Sequence, residues 1–177
     1  MTALTEPRRK HSSARRITLL ALLTAIALTI FMIEAQLPAL APIPGIKLGL
    51  ANVVTLYAVF TLGPADALLI LCARVFLGAV FAGQMMTLLY SGAGGFLAWC
   101  VMVPLSKLVT RKHLWLCSPI AAIFHNLGQL LAAAAVMKTW VVMSYFPFLL
   151  LSGVVTGLFT GLCAQFVIKR LEKLHIA

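Results

Sequence analysis

Apolar residues dominate the chain from Ile17 to Ile168, and helix breakers or charges divide them into six runs. A helix needs about 20 apolar residues to cross the hydrocarbon core of a bilayer, and most of these runs approach or exceed that length. The pattern therefore predicts an all-α integral membrane protein with about six transmembrane helices in one bundle. The predicted spans are Ile17–Leu37, Leu48–Leu62, Ala65–Ala82, Met85–Leu108, Leu114–Met137 and Tyr145–Ile168.

The second run, Leu48–Leu62, is the shortest of the six. As a helix it would be about 22 Å long, which is short for a span unless other protein surrounds it. Pro38, Pro42 and Pro44 separate it from the first run and prevent one continuous helix. We therefore expect an irregular connection that leads into a short second helix.

The chain carries 14 Lys and Arg against 4 Asp and Glu, a formal net charge of +10. Cytoplasmic loops of membrane proteins hold an excess of Lys and Arg. Most of the basic residues would lie on one side of a six-span layout, which predicts that both termini are cytoplasmic. These residues are Arg8, Arg9, Lys10, Arg15, Arg16, Lys107, Arg111, Lys112, Lys169, Arg170 and Lys173.

The domain organisation follows from the same layout. One transmembrane domain is predicted over residues 17–168, with basic cytoplasmic tails at 1–16 and 169–177. The basic residues flank apolar spans, so the positive charge does not indicate a nucleic-acid partner. A cleaved secretory signal is disfavoured, because the first run is long and no small-residue cleavage site precedes Pro38.

The sequence offers few groups for catalysis, so we predict neither an enzyme nor a cofactor or metal site. Diphosphate chemistry through Mg²⁺ needs clustered carboxylates, and no two of the four acidic residues are close in sequence. A Gly-rich phosphate loop followed by Lys and Ser or Thr is also missing. The acidic residues are Glu6, Glu34, Asp66 and Glu172.

The four cysteines fall one per span without metal-ligand spacing, and we interpret them as apolar filling. They are Cys72, Cys100, Cys117 and Cys163.

Polar residues at membrane depth are the candidate functional groups, because they are costly there and usually face a bundle interior or a cavity. In the six-span layout their depths coincide, which favours one pocket that opens outward. His125 and Gln129 share a helix face, whereas Asn126 is turned about 100° away. The candidate substrate-binding residues are Glu34, Lys47, Asn52, Arg74, His125, Asn126 and Gln129.

Each candidate also has a structural interpretation. Glu34 can pair with Arg74 or Lys47 as an ion bridge inside the bundle, and the polar residues of the fifth helix can join neighbouring helices. Small residues favour close helix contacts as well. We interpret the ladder Gly153, Gly157 and Gly161 as a packing face. The face of Ala21 and Ala25 can meet either another helix of this chain or a separate protein.

Three stretches resemble a known family, and the resemblance covers nearly the whole chain. They are Glu34–Asn52, which reads EAQLPALAPIPGIKLGLAN, Gly92–Phe96, which reads GAGGF, and His125–Gln129, which reads HNLGQ. Together they look like the family called heptaprenyl diphosphate synthase component I, also labelled the Gx transporter family. That family is similar in topology to the six-helix S components of energy-coupling factor vitamin transporters.

The resemblance implies a function and partners. S components bind a small molecule from outside and dock on a separate transmembrane protein that is coupled to ATPases. An Ala-x-x-x-Ala face on their first helix commonly makes that contact, and Ala21 and Ala25 match it. By this resemblance the chain would be a multi-pass protein of a bacterial cytoplasmic membrane, with lipid, a coupling subunit and a small-molecule ligand as partners.

The two family labels lead to different hypotheses. The first is a substrate-binding subunit for small-molecule uptake, whose ligand is anionic because Lys47 and Arg74 outnumber Glu34 at the predicted pocket. The second is an accessory membrane component of heptaprenyl diphosphate synthase in isoprenoid-quinone biosynthesis. A third hypothesis, a structural membrane scaffold, predicts neither ligand binding nor prenyl diphosphate turnover.

Overall fold

The computed structural model describes residues 13–36, 47–110 and 113–173. The helices are α1 (Ser13–Glu34), α2 (Asn52–Thr61), α3 (Pro64–Ala82), α4 (Met85–Leu108), α5 (Leu114–Met137) and α6 (Phe146–Lys173), with a 3₁₀ helix (Trp140–Tyr145) before α6. Within these ranges there is no strand, which confirms the all-α class. The proline-rich connection before α2, Arg111 and Lys112, most of the predicted N-terminal tail and the last four residues of the predicted C-terminal tail lie outside the described residues.

The helix bounds agree closely with the apolar runs. α4 and α5 begin and end at the predicted residues, and α3 begins one residue early, at Pro64. α1 starts at Ser13 and α6 continues to Lys173, so both extend into the stretches that we assigned to basic tails. Arg and Lys are good helix formers, so charge ends an apolar run without ending the helix.

Five helices, all except α2, are long and apolar enough to cross a membrane. This supports a multi-pass membrane protein. α2 has 10 residues and is about 15 Å long, half the thickness of the hydrocarbon core. Seven of its residues are buried, so other protein surrounds the short helix, as its length requires. Six crossings and cytoplasmic termini stay predictions.

Glycines bring α5 into backbone contact with the helices on both sides of it. A methyl group at Gly128 of α5 would lie 2.7 Å from the carbonyl oxygen of Ala93 in α4. On the other side, a methyl group at Gly157 of α6 would lie 2.5 Å from Cα of Pro119 in α5. The predicted glycine packing face of α6 therefore meets α5, and only glycine fits at these crossings.

α1 lies at the edge of the bundle, where its main contacts are with α2 and α3. An ion pair between Arg16 of α1 and Asp66, in the first turn of α3, joins the two helices; Arg16 Nε donates to Asp66 Oδ1 at 3.1 Å. Ala21 and Ala25 are both exposed. The small-residue face of α1 therefore points away from the described part of the bundle.

Candidate functional site

Six of the seven candidate residues meet around Lys47–Leu50, the non-helical segment that precedes α2. We call these six residues the polar cluster: Glu34 from α1, Lys47 from the segment, Asn52 from α2, Arg74 from α3, and His125 and Gln129 from α5. All except Lys47 are buried, with less than a tenth of the residue surface exposed. The helices thus bring together residues that are up to 95 positions apart in the sequence.

Glu34 binds the backbone of the segment. One carboxylate oxygen accepts a hydrogen bond from the amide nitrogen of Gly49 at 2.6 Å, and the other accepts from that of Leu50 at 3.0 Å. These amides precede α2 and have no helical carbonyl partner. Hydrogen bonds to a carboxylate are stronger than those to a neutral acceptor, so Glu34 anchors the segment in place.

Gly49 lies directly on the polar cluster. Its φ of +80° belongs to the left-handed region, which favours glycine. A methyl group at this position would lie 2.7 Å from Cδ2 of His125 and 2.9 Å from Nδ2 of Asn52. Both the backbone conformation and the close approach therefore require glycine here, and the segment covers the cluster with main chain.

Gln129 connects the segment to His125. Its Oε1 accepts a hydrogen bond from the amide nitrogen of Lys47 at 3.4 Å, and its Nε2 lies 3.0 Å from Nε2 of His125. An amide nitrogen only donates, so His125 Nε2 must accept and its ring proton sits on Nδ1. The imidazole in this arrangement is neutral, and the positive charge of the cluster comes from Lys47 and Arg74.

Arg74 is 1% exposed and has incomplete hydrogen bonding. Nη2 donates to Oδ1 of Asn52 at 3.2 Å, while Arg74 Nε and Asn52 Nδ2 have no partner within the described residues. No carboxylate of the described residues lies within 4.0 Å of the guanidinium. The ion pair that these residues contain is the one between α1 and α3. The bridge between Glu34 and Arg74, considered from the sequence, is thus not formed as a direct contact.

Lys47 lies over an aromatic ring. Its Nζ is 3.5 Å from the ring centroid of Phe31, a cation–π contact, and it has no hydrogen-bond partner within the described residues. Burial lowers the pKa of this ammonium, and the nearby Glu34 carboxylate acts in the opposite direction. The sequence did not point to Phe31; its position three residues before Glu34, on the same helix face, was the available signal.

Asn126 lies outside the polar cluster. Its Nδ2 donates to the carbonyl oxygen of Leu149 in α6 at 2.6 Å, and the residue is fully buried. This bond joins α5 to α6 on the face that carries the glycine crossings. Asn126 is rotated by about 100° from His125 around the helix axis, so it faces α6 and not the polar cluster. Its hydrogen bond therefore joins two helices, as in the structural interpretation.

The polar cluster is covered in this structure, because its residues are buried beneath Lys47–Leu50. Among the grooves on the outer surface of the described bundle, two apolar ones are well defined. One, of about 360 Å³, runs between Leu48 and α6, and the other, of about 230 Å³, runs between α3 and α4. Neither groove is lined by a residue of the cluster. Along Lys47–Leu50, a ligand would reach the cluster only if this segment moved.

Comparisons with known proteins identify one family. Residues 23–167, which include nearly all of the helical bundle, match the family described as Heptaprenyl diphosphate synthase component I. No significant match was found among curated proteins or among solved structures. The match covers most of the chain and agrees with the resemblance of the three sequence stretches. The chain belongs to the heptaprenyl diphosphate synthase component I family.

Proposed function

We propose that this chain is the membrane-embedded substrate-binding component of an uptake system for a small anionic molecule, energised by partner subunits. The observation that carries the proposal is the excess of positive charge in the polar cluster. The cluster contains two cations, Lys47 and Arg74, and one carboxylate, that of Glu34. Lys47 Nζ and Arg74 Nε have no hydrogen-bond partner within the described residues.

An anionic ligand would relieve a large energetic cost. Burying a charged group without a partner is expensive, and the cost is highest in the low-dielectric interior of a membrane protein. The planar guanidinium of Arg74 suits two oxygens of a phosphate or carboxylate group, whereas the ammonium of Lys47 acts as a point charge on a longer, flexible stem. Arg74 is accordingly the main ligand contact and Lys47 the capturing group.

The segment Lys47–Leu50 serves as the cover of the site in this proposal. Glu34 and Gln129 hold its backbone from opposite helices, so they position the cover and contact the ligand only when the segment moves. Exchange of ligand then requires these backbone hydrogen bonds to break and form again. Energy for release would come from partner subunits that the exposed Ala21 and Ala25 face contacts.

A second candidate function is an accessory role in prenyl diphosphate synthesis. The description of the matched family favours it, and a cationic cluster would also bind a diphosphate. The chain would then present or retain a product for a catalytic partner, since its own carboxylates are too few for a magnesium site. Prenyl diphosphate turnover that requires this chain would support the second function, whereas copurification of a water-soluble anion would support the first.

The test is to purify the protein, identify what copurifies by mass spectrometry, and measure its binding to Arg74→Gln. We expect binding to be lost while thermal unfolding stays cooperative. Arg15→Gln is the matched control, because it removes an exposed guanidinium outside the polar cluster. If Arg74→Gln instead unfolds the protein and added Glu34→Gln restores folding, the two residues form a structural pair and the proposal fails.

A further inference from the structure

The polar atoms of the cluster that lack a partner are all hydrogen-bond donors. Ammonium, amide and guanidinium nitrogens only donate, and His125 holds its ring proton on Nδ1. Within the described part of the chain, the buried cluster atoms without a hydrogen-bond partner are Lys47 Nζ, Asn52 Nδ2, Arg74 Nε and His125 Nδ1. A ligand that binds in the cluster would therefore be met by nitrogens that give hydrogen bonds.

The acceptors of the cluster are already in use. Both carboxylate oxygens of Glu34 accept from backbone amides of the segment Lys47–Leu50. The other acceptors bind donors of the cluster or of the segment; they are Asn52 Oδ1, Gln129 Oε1 and His125 Nε2. Each of these acceptor atoms thus has a partner within the chain, so the side chains of the cluster are poorly suited to receive a donor from a ligand.

Three of the free donors lie on neighbouring parts of the site. Asn52 and Arg74 are hydrogen-bonded to each other. The ammonium of Lys47 lies on the ring of Phe31, and a methyl group at Gly78 of α3 would lie 2.6 Å from Cε1 of that ring. Gly78 follows Arg74 by one helical turn on the same face of α3. Phe31 therefore holds the ammonium near the guanidinium, and the two cations are close enough to repel each other.

The cluster as a whole keeps one positive charge. Lys47 and Arg74 are cationic, the imidazole of His125 is neutral in its hydrogen-bonding arrangement, and Glu34 is the one carboxylate. The ten residues between Gln36 and Lys47 contain no ionisable side chain, so the proline-rich connection adds no compensating charge. A ligand with one negative charge would make the occupied cluster neutral. A ligand with two or more would leave a buried negative excess, which is costly at membrane depth.

We propose that the ligand binds the polar cluster through a singly charged oxyanion that only accepts hydrogen bonds, such as a carboxylate with no amino group beside it. This inference rests on the proposed function and specifies the substrate class of the same site. A carboxylate offers about four lone-pair sites on its two oxygens, enough for the three neighbouring donors. An ammonium group beside it would add a second positive charge and donors that find no free acceptor, and sites of this kind reject such analogues strongly.

The test compares propionate, alanine and malonate on the full chain in phosphatidylcholine nanodiscs. The three compounds share one carbon skeleton; alanine adds an ammonium group to propionate, and malonate replaces its methyl group by a second carboxylate. The rise of Tm with ligand concentration at constant ionic strength gives the apparent affinity of each. We expect propionate to bind roughly tenfold or more tightly than either of the other two.

Two variants connect this selectivity to the cluster. Asn52→Asp replaces a free donor by a second carboxylate and should abolish propionate binding. Gln36→Glu is the matched control, because it makes the same amide-to-carboxylate change at an exposed position and should keep the affinity. Lys47→Gln removes the surplus charge and should also abolish binding; its side chain belongs to a non-helical, partly exposed segment, so the variant keeps the test valid if Asn52→Asp fails to fold.

The outcomes separate this inference from the proposed function. If alanine or malonate binds as tightly as propionate, the selectivity is wrong and the anion site stands. If inorganic pyrophosphate binds and propionate does not, the singly charged ligand is refuted and the second candidate function is favoured. Wild-type affinity for propionate in Lys47→Gln would place the carboxylate outside the cluster and overturn the inference. If none of the four compounds binds, the inference and the anion site are both refuted.

Discussion

The close crossing of α4 and α5 predicts that Gly128→Ala destabilises the protein. The added methyl group would lie 2.7 Å from the carbonyl oxygen of Ala93, 2.9 Å from Cα of Gly94 and 3.0 Å from the carbonyl carbon of Ala93. All three atoms belong to the backbone, so no side-chain rotation removes the overlap. The two helices must separate by several tenths of an ångström, which overpacks the interface.

The magnitude follows from two opposing terms. Overpacking of a filled interior costs about 1–3 kcal/mol, and replacing a helical glycine by alanine gains up to about 1 kcal/mol. Gly92→Ala shares the gain without the overlap, because its methyl group has an ordinary contact distance of 3.8 Å to Val75. Gly128→Ala should therefore be less stable than Gly92→Ala by about 1–3 kcal/mol, or roughly 2–12 °C in Tm for a chain of this size.

Thermal unfolding of both variants in the same detergent or nanodisc measures this difference. Ligand affinity should change with it, because Gly128 lies between His125 and Gln129 and its displacement from α4 shifts both side chains relative to Lys47–Leu50. Equal melting temperatures for the two variants would refute the close crossing. A less stable Gly128→Ala with wild-type affinity would refute the dependence of the polar cluster on the position of α5.

Two further predictions concern the placement of the chain in the membrane and its partner. Reporter fusions after Lys107 and after Lys138 should lie on opposite sides, because α5 spans between them, and signals from the same side would overturn the six-span layout. Ala25→Trp on the exposed face of α1 should block assembly with a coupling subunit and leave ligand binding intact, whereas a loss of folding would show that this face packs within the chain.

The sequence predicted the long helices well, because their ends coincide with strong local signals. Gly63 and Pro64 separate α2 from α3, and Gly83 ends α3 in the left-handed conformation. The extensions of α1 and α6 were missed, since hydropathy detects the membrane core and a helix continues beyond it. The 10-residue length of α2 was also missed, because the apolar run includes the non-helical residues before it.

The partners of the site residues could not be read from the sequence. Common depth grouped Glu34, Arg74 and His125 correctly, but it could not show that Glu34 binds backbone amides rather than a cation. That outcome depends on the left-handed turn at Gly49, a conformation that a glycine permits but does not dictate. The separation of Asn126 from the cluster follows from helix rotation, whereas its partner in α6 depends on tertiary packing.

The glycine crossings on both sides of α5 have a mechanical consequence. Helices in backbone contact cannot slide or part without losing that contact over many atoms, so α4, α5 and α6 should behave as one rigid unit. α1 makes its main contacts with α2 and α3 and lies apart from this unit. The segment Lys47–Leu50 is bound to both, to α1 through Glu34 and to the unit through Gln129. It therefore links α1 to the unit of α4, α5 and α6. A displacement of α1 would be transmitted first to the backbone beside His125 and Asn52.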